Sequence, residues 1–402
     1  MLKDFAPRVR ELAPEGAYAV LARAKALEAQ GRDIIHLEIG QPDFPTPSHI
    51  AAAGAEAIRA GHTRYTPPAG SHDLRVAIAE TAGPRRGLQF APEEVVVGPG
   101  AKPAMFCAIM ALVAPGDEVI LPDPGFPSYS ATIRVAGGVP VPVRLAPGKG
   151  DGRQPQGDVP PSPQTFDMDE FEARIGPRTR LVILNSPSNP TGGVAQPADL
   201  ERLAAAVRRT DAWVLSDEIY TQQIYEGEAP TIAALPGMRE RTVIIDGFSK
   251  TYSMTGWRLG YGIMPAELVE RVDLLLTHSV GCTADFTQVA GVAALCGDQS
   301  EVAVMRDSYR VRRDRTVALL NGVPGIRCPL PEGAFYVFPD VRSFGRSSKW
   351  LADYLLDRAG VALLAGSDFG ANGEGYLRIS YATSMELIQA AVERMAQALA
   401  AL

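Results

Sequence analysis

The sequence predicts an α/β fold with a mostly parallel sheet that is buried on both faces. Two observations support this class. Short apolar runs end in clusters of Gly, Pro, Asn or Asp, and helix-length segments such as 199–209 separate most of the runs. Continuous apolar strands that alternate with helices are typical of parallel sheets covered on both sides. The apolar runs lie at 95–97, 119–121, 181–184, 213–215 and 243–245.

The chain is long enough for two domains. Its 402 residues are more than twice the roughly 150 residues of a typical domain. The apolar runs all lie within 46–300, which we assign to a large domain. The segments 334–337 and 376–379 have the composition of short strands among helices. Residues 1–45 together with 301–402 are therefore expected to form a smaller α+β domain.

One stretch of the large domain has a different composition. In 146–163, nine of 18 residues are Gly or Pro. So few apolar residues cannot pack into a core, and we expect an exposed loop. A linker between domains is the alternative.

The composition disfavours several classes of partner. The chain carries 39 Lys and Arg against 46 Asp and Glu, a net charge of −7, so a nucleic-acid partner is not expected. The longest apolar run, 104–114, is too short to cross a membrane, and the first residues lack the apolar segment of a signal peptide. The four cysteines form no CxxC pair and the five histidines show no metal-ligand spacing. We therefore expect a cytoplasmic protein without a metal or a membrane partner.

Polar residues follow the ends of the apolar runs, at the edge where ligands bind in such sheets. The first run leads through 98–102 into an apolar helix, whose free N–H groups and partial positive charge suit a phosphate. The segment matches neither GxGxxG nor GxxxxGK[ST], which disfavours dinucleotides and nucleoside triphosphates. An ordinary tight turn is the alternative.

Two further strand ends carry titratable groups. Lys250 follows the run 243–245, and in a cleft its amine could be desolvated into a nucleophile that forms a Schiff base. Asp217 ends the run 213–215 and could pair with a protonated ring nitrogen, with Tyr220 in the same pocket. The alternatives are a solvated surface lysine and a carboxylate that caps the next helix.

Amide and guanidinium groups complete the candidate set. Asn189 lies in an NPTG sequence that reads as a turn, but its amide could also donate to a phenolate oxygen. Arg258 and Arg378 could bind a phosphate or a carboxylate through two parallel hydrogen bonds, or could form surface ion pairs.

In their order along the chain, these motifs resemble the class I, fold type I aminotransferases that depend on pyridoxal 5'-phosphate (PLP), in the aspartate aminotransferase-like branch. The resemblance spans 37–383 and implies a large domain on a mostly parallel seven-stranded sheet and a smaller α+β domain. The spacing from the lysine of the SK pair to the WRLGY segment, together with NPTG and SDEIY, is highly specific. The matching stretches are IGQPDFPTP, RYTPPAG, GAKPAMF, NSPSNPTGG, LSDEIY, GFSKTYSMTGWRLGY, EGAFYVFP and YLRISYATS.

The resemblance implies catalytic roles for three residues. Lys250 would bind PLP as a Schiff base and later carry the α-proton. Asp217 would keep the pyridinium nitrogen protonated, so that the ring accepts electrons. Tyr220 would donate, together with Asn189, to the phenolic oxygen of the ring.

The resemblance also implies binding residues. The backbone N–H groups of 100–102 would hold the phosphate, Arg258 would neutralise it and Ser249 would add a hydroxyl. Arg378 would bind the substrate α-carboxylate, beside Asn189 and a close backbone approach at Gly40. Phe126 would stack on the ring, and Tyr65 would reach the phosphate of the neighbouring subunit in a homodimer. The remaining cofactor and substrate contacts implied are Gly100, Ala101 and Lys102.

Two positions depart from many relatives. Gly247 stands where they carry a hydroxyl residue three positions before the lysine, and Ser249 is expected to compensate. Phe126 is the stacking ring where some relatives use Trp. Neither change removes a catalytic role.

The resemblance predicts an amino-acid aminotransferase that uses 2-oxoglutarate as acceptor. Lys102 suggests acidic substrates, because in one branch of aspartate aminotransferases a lysine at this place recognises a distal carboxylate. The alternative is that Lys102 faces only solvent or the phosphate. A cyclase, a β- or γ-lyase or an oxidase on the same scaffold is the alternative reaction. An aminotransferase-like transcriptional regulator is disfavoured, because the resemblance begins at residue 37 and leaves no space for a DNA-binding domain.

Overall fold

The computed structural model describes residues 5–10, 12, 14–146 and 165–402. The Gly/Pro-rich stretch that is predicted to be an exposed loop lies outside the described residues, apart from Ala146. In the described ranges the strands are β1 (Ile35–His36), β2 (Val95–Gly98), β3 (Glu118–Asp123), β4 (Val139–Ala146), β5 (Thr165–Phe166), β6 (Thr179–Asn185), β7 (Trp213–Asp217), β8 (Thr242–Gly247), β9 (Gly260–Ile263), β10 (Tyr336–Val337), β11 (Val361–Ala362), β12 (Leu364–Ala365) and β13 (Leu377–Ser380).

The α-helices alternate with these strands in the middle of the chain and cluster near its ends. In the same described ranges they are α1 (Pro7–Arg10), α2 (Gly16–Glu28), α3 (Ser48–Arg59), α4 (His72–Ala82), α5 (Ala101–Leu112), α6 (Pro127–Ala136), α7 (Met168–Arg174), α8 (Pro197–Val207), α9 (Phe248–Thr251), α10 (Ala266–Thr277), α11 (Asp285–Cys296), α12 (Ser300–Asn321), α13 (Ser348–Ala359) and α14 (Met385–Leu399).

Local sequence explains several helix ends. The hydroxyl of Ser384 accepts a hydrogen bond from the backbone N–H of Leu387 at 3.3 Å and caps the start of α14. Helix α6 ends at Ala136 and is followed by Gly137, whose φ of 86° lies in the left-handed region. Glycine adopts this conformation at little cost, so it is the usual residue after the last helical turn.

The main sheet has the strand order β2-β9-β8-β7-β6-β3-β4, with the two-residue β5 added at the β4 edge. The pairs from β8 through β7, β6 and β3 to β4 are parallel, whereas β9 is antiparallel to both of its neighbours. Strands β2 and β8 are buried along their whole length, as their continuous apolar runs predict. The predicted fold, a mostly parallel seven-stranded sheet, is confirmed.

The direction of β9 matters for the site. Six strands of the seven-stranded part of the main sheet run the same way, so their carboxyl ends lie at one edge. Because β9 runs the opposite way, its first residue, Gly260, pairs with the last residues of β2 and β8. The segment that enters β9 and contains Arg258 therefore lies at the same edge as the loops that follow the parallel strands.

A second sheet has the order β10-β13-β12 and is antiparallel throughout. Its residues and those of α12, α13 and α14 share one hydrophobic cluster, which includes Tyr309, Phe335 and Ile379. The main sheet instead packs into other clusters, formed with α4, α5, α8 and α10. The domain boundaries given above, 46–300 against 1–45 plus 301–402, stay a prediction.

In the part of the chain that the structure describes, no helix has both the length and the apolar composition that crossing a membrane requires.

Candidate active site

The predicted site residues meet at the carboxyl edge of the main sheet. Asp217 is the last residue of β7, Asn189 follows β6 by four residues, and Lys250 follows β8 by three. Arg378 lies on β13 of the second sheet. The site thus lies between the two sheets, where two separate cores approach each other.

Lys250 is held by a backbone carbonyl. Its Nζ donates a hydrogen bond to the carbonyl oxygen of Gly40 at 2.5 Å, and it lies 5.7 Å from the centre of the Phe335 ring. Burial lowers the pKa of Lys250 to about 8, and the charges of Arg378 and Arg258 add to the lowering. A lysine with this pKa is partly neutral near pH 7–8, and the neutral amine is the nucleophilic form.

Asp217 is a buried carboxylate that has one side-chain donor among the residues that the structure describes. The hydroxyl of Tyr129 donates to Oδ2 of Asp217 at 2.6 Å, and the backbone N–H of Ile219 donates to Oδ1 at 3.3 Å. Burial raises the pKa of Asp217 to about 6, while these two hydrogen bonds oppose the rise. A cation next to Asp217 would stabilise its charged form.

Tyr129 was not among the predicted residues. It lies on α6, three residues after Phe126, and their rings form an edge-to-face pair with centres 5.5 Å apart. The sequence signal for Tyr129 is weak, because the segment PSYS resembles an ordinary helix start apart from its tyrosine.

Tyr220 and Tyr336 form a buried pair of phenols. Their hydroxyl oxygens are 2.8 Å apart, and burial raises the pKa of both tyrosines. A side chain at Gly40 would overlap the hydroxyl of Tyr336, which explains why this position is glycine. Sequence reasoning missed Tyr336, although it lies in the EGAFYVFP stretch that carries the family resemblance.

The start of α5 forms an anion-binding cradle. Gly100 precedes the helix with a φ of 95°, and a side chain there would overlap the guanidinium of Arg258. Arg258 donates to the carbonyl oxygens of Thr255 at 2.8 Å and Pro99 at 3.3 Å, so its charge lies over the helix terminus. The first N–H groups of a helix lack acceptors within it, and those of Ala101 and the next residue belong to this turn.

Arg378 is a buried cation with a free donor. Only 4% of it is exposed, and its guanidinium lies 4.5 Å from the centre of the Tyr336 ring. It donates to the carbonyl oxygen of Glu38, and to Oδ1 of Asn189 at 3.4 Å. Its Nε has no hydrogen-bond partner among the described residues. A buried charge with an unused donor is suited to bind an anion.

Lys102 and Phe126 lie beside the cradle. Lys102 is the second residue of α5, and its Nζ lies 5.0 Å from the centre of the Phe126 ring. The same Nζ is 3.1 Å from Oε2 of Glu15 in the N-terminal segment. Sequence reasoning did not find Glu15, because it precedes the stretch that carries the resemblance.

The two remaining predicted residues are not joined to the others by a described side-chain contact. Ser249 is partly exposed and lies on α9, directly before Lys250. Tyr65 is 97% exposed on the surface of this chain. The structure therefore brings together Gly40 with Lys250, Asn189 with Arg378, Gly100 with Arg258, and Lys102 with Phe126.

The glycine at 247 has a local explanation. Gly247 pairs with Gly260 in the antiparallel ladder between β8 and β9. A Cβ at Gly247 would lie 2.9 Å from the Cα of Gly260, so a hydroxyl residue would need the strands to move apart. The two facing glycines let β9 approach closely at the edge where Arg258 enters.

A buried ion cluster joins the ends of β7 and β8 next to the site. Arg86 donates from Nε to Glu218 at 2.6 Å and from Nη2 to Asp246 at 2.8 Å. Glu218 directly follows Asp217, and Asp246 precedes the Gly247–Lys250 turn. Since one guanidinium bridges both carboxylates, it links the ends of β7 and β8. No sequence motif pointed to this cluster.

The residues present fit PLP. The cradle at Gly100 combines a helix N-terminus with the guanidinium of Arg258, as a phosphate requires. The buried carboxylate of Asp217 suits a protonated ring nitrogen, and Lys250 has the lowered pKa of an amine that reacts with an aldehyde.

Comparisons with known proteins agree with this chemistry. The family described as aminotransferase class I and II matches residues 32–395. A putative aminotransferase (YugH) of Bacillus subtilis is 39% identical over 98% of this chain and 97% of its own length. An aspartate/prephenate aminotransferase of Cereibacter sphaeroides is 38% identical, with the same coverage. The solved aspartate aminotransferase of Thermus thermophilus with maleate is 37% identical, with a TM-score of 0.90 over 99% of this chain and all of that one.

Proposed function

Because the chain belongs to the class I and II aminotransferase family and is thus a transaminase, we propose that it moves the α-amino group of an amino acid to a 2-oxo acid with PLP bound at the site described above. The observation that carries this proposal is Lys250, a half-buried lysine whose pKa is lowered by desolvation and by the charge of Arg378 and whose Nζ donates to the carbonyl of Gly40. The family is PLP-dependent, and the donor set fits that cofactor.

The chain binds the cofactor at both ends. Ala101 and Lys102 offer backbone N–H groups to the phosphate, with Arg258 as its counter-charge, whereas the N–H of Gly100 donates to the carbonyl oxygen of Gly98 at 2.7 Å. Asn189 and Tyr220 donate to the phenolic oxygen. The other groups that hold the cofactor in this proposal are Asp217 at the ring nitrogen, Phe126 on the ring face, Ser249 at the phosphate, Lys250 as the covalent link and Tyr65 from a second subunit of a homodimer.

Bound PLP supplies an electron sink for the pair that the departing α-proton leaves on the substrate. Asp217 maintains that sink by staying ionised beside the ring nitrogen. With the cofactor bound, Lys250 would hold and move the proton at its Nζ, as a base towards the substrate α-carbon and as an acid when the proton is given back. An amine with a pKa of about 8 suits both directions near neutral pH.

Arg378 orients the substrate in this proposal. Its two terminal nitrogens match the geometry of an α-carboxylate, and the surrounding rings exclude water from the ion pair. The backbone of Gly40 approaches the substrate closely in this proposal, and its lack of a side chain leaves space for the hydroxyl of Tyr336. Asn189 holds the guanidinium through Oδ1 and thereby takes part in substrate binding.

The proposed substrates are acidic amino acids, with 2-oxoglutarate as the acceptor. Lys102 supports this choice, because its ammonium lies over the ring of Phe126, beside the anion-binding cradle. The names of the relatives from Cereibacter sphaeroides and Thermus thermophilus also include aspartate.

The test is a half-reaction with the purified, PLP-loaded protein. Single amino acids are added without any oxo acid, and the released oxo acid is measured together with the absorbance of the cofactor. We expect about one oxo acid per site with aspartate or glutamate, and reversal by 2-oxoglutarate. Catalytic release of ammonia or peroxide would instead support the elimination or oxidation chemistry of the alternative readings.

A further inference from the structure

Glu15 is the residue that precedes α2, a position where Ser, Thr, Asp or Asn side chains usually cap the helix. Its side chain makes no capping hydrogen bond. The carboxylate instead reaches Lys102, with Oε2 and Nζ 3.1 Å apart. This contact joins the start of α2 to the start of α5, across 87 residues of sequence.

The lysine it contacts is the one to which the proposed function assigns the distal carboxylate of the substrate. Lys102 retains 47% exposure and Glu15 26%, so both are open to a ligand that enters the cleft. The carboxylate of Glu15 therefore forms an ion pair with Lys102, the cation that an acidic substrate would need.

The charge of Glu15 also acts on two groups of the site. Burial dominates the lowered pKa of Lys250, and the negative charge of Glu15 is among the groups that oppose the lowering. The same charge adds to the raised pKa of Tyr336, again after burial. Glu15 thus lies within electrostatic reach of two groups of the site rather than only at its rim.

The backbone next to Glu15 is fixed. A Cβ at Gly16 would lie 2.6 Å from Oδ2 of Asp368, so the start of α2 lies directly against the Gly366–Phe369 turn. The helix then packs on β11 and β12. Because the backbone is anchored, the ion pair can open by side-chain rotation alone.

We propose that Glu15 is a specificity-determining residue that holds Lys102 in the substrate-free protein and must be displaced by the distal carboxylate of a dicarboxylic substrate. Substrates without that carboxylate leave the ion pair intact and avoid the competition. The inference rests on the proposed function, since it assumes that Lys102 faces the substrate side chain. Partly exposed ion pairs are weak and screened by salt, so the competition changes affinity severalfold rather than by orders of magnitude.

The first test measures binding without turnover. Succinate and butyrate have the same number of carbons and differ in one carboxylate, and neither has an amino group to transfer. Their Kd values are measured by calorimetry on the PLP-loaded protein and its Glu15→Gln variant at low salt. We expect Glu15→Gln to tighten succinate binding by about threefold to fivefold and to leave butyrate unchanged.

Two further variants serve as controls. Lys102→Met should abolish the effect of Glu15→Gln on succinate, because no cation remains to be released. Glu172→Gln makes the same charge change at the Glu172–Arg202 pair, which also has a separation of 3.1 Å, and should change neither Kd. Equal effects of Glu15→Gln on both acids, or no effect on either, would refute the proposal.

The second test is kinetic and separates this inference from the proposed function. Aspartate and 2-aminobutyrate differ in the same way as the two acids above. Glu15→Gln should lower KM for aspartate alone, and any change in kcat that arises through the pKa of Lys250 should be the same for both amino acids. If the unmodified protein transaminates nothing, the proposed function fails, while the binding test still decides whether Glu15 competes for Lys102.

Discussion

The carboxyl edge of the main sheet and the second sheet contribute to the site in different ways. The edge supplies groups at the ends of its strands or shortly after them, such as Asp217, the last residue of β7, and Lys250, three residues after β8. The second sheet supplies Arg378 and Tyr336, which lie within strands and are buried to 4% and 1% exposure. The edge thus relies on strand ends and backbone N–H groups, whereas the second sheet relies on individual side chains fixed by packing.

This difference predicts two kinds of failure. Loss of a reacting group at the edge stops the chemistry and leaves the fold intact, because strand ends contribute little to the core. Loss of a side chain in the second sheet weakens substrate binding in a graded way. The variants below test this distinction, from the largest expected effect to the smallest.

Lys250→Ala should show the largest effect. We expect kcat to fall by at least about 1,000-fold, because the residue provides both the covalent link and the proton transfer. Turnover of aspartate with 2-oxoglutarate is the measurement, with the content of bound cofactor recorded in parallel. Lys349→Ala, which removes an exposed lysine paired with Asp353, is the matched control. Full activity in Lys250→Ala would contradict the assigned role.

The same distinction explains which parts of the site the sequence predicts. Asp217 and Lys250 follow continuous apolar runs, so the pattern alone places them at one sheet edge. The pairs Tyr129–Asp217, Tyr220–Tyr336 and Glu15–Lys102 join residues 88, 116 and 87 positions apart. No local periodicity encodes such contacts, because they depend on how complete layers pack.

The second sheet was also harder to predict in detail. The expected strand 334–337 is only Tyr336–Val337 in the structure, since Ala334 has a φ of 58° outside the strand region. Short antiparallel strands leave a weak sequence signal, so the burial of Arg378 between aromatic rings could not be foreseen. The family resemblance identified Arg378, but its free Nε and its contact with Asn189 came from the structure.

Arg378→Lys tests the second sheet. A lysine keeps the charge but loses the planar pair of donors, so kcat/KM should fall roughly 30-fold, equivalent to about 2 kcal/mol. The loss should appear in KM for every amino acid tested, whatever its side chain, while the cofactor stays bound. Arg342→Lys is the control, because it makes the same exchange at an exposed arginine paired with Asp340. A changed affinity for the cofactor in Arg378→Lys would mean that Arg378 contacts the cofactor and not the substrate, which would contradict the assigned role.

Tyr129→Phe tests the carboxyl edge of the main sheet, because it removes a hydrogen-bond donor to Asp217 and no reacting group. Its hydroxyl stabilises the charged form of Asp217, so its loss should raise the pKa of that carboxyl above its value of about 6. A folded-state pKa above the ordinary value of 3.8 means that the folded protein binds the proton more tightly. The stability from this group is therefore complete below about pH 4 and is lost as pH rises through the folded-state pKa.

In cofactor-free Tyr129→Phe the loss should continue to higher pH than in the unmodified protein. The difference in unfolding free energy between the two proteins should be small at pH 4 and should grow to about 2 kcal/mol at pH 8, where Asp217 is ionised without its donor. Urea unfolding at a series of pH values measures this difference. Since bound PLP would place a cation beside Asp217, the loaded proteins should differ less at pH 8. A gap independent of pH would contradict this role, because it would mean that the Tyr129 hydroxyl stabilises the protonated and the ionised forms of Asp217 equally.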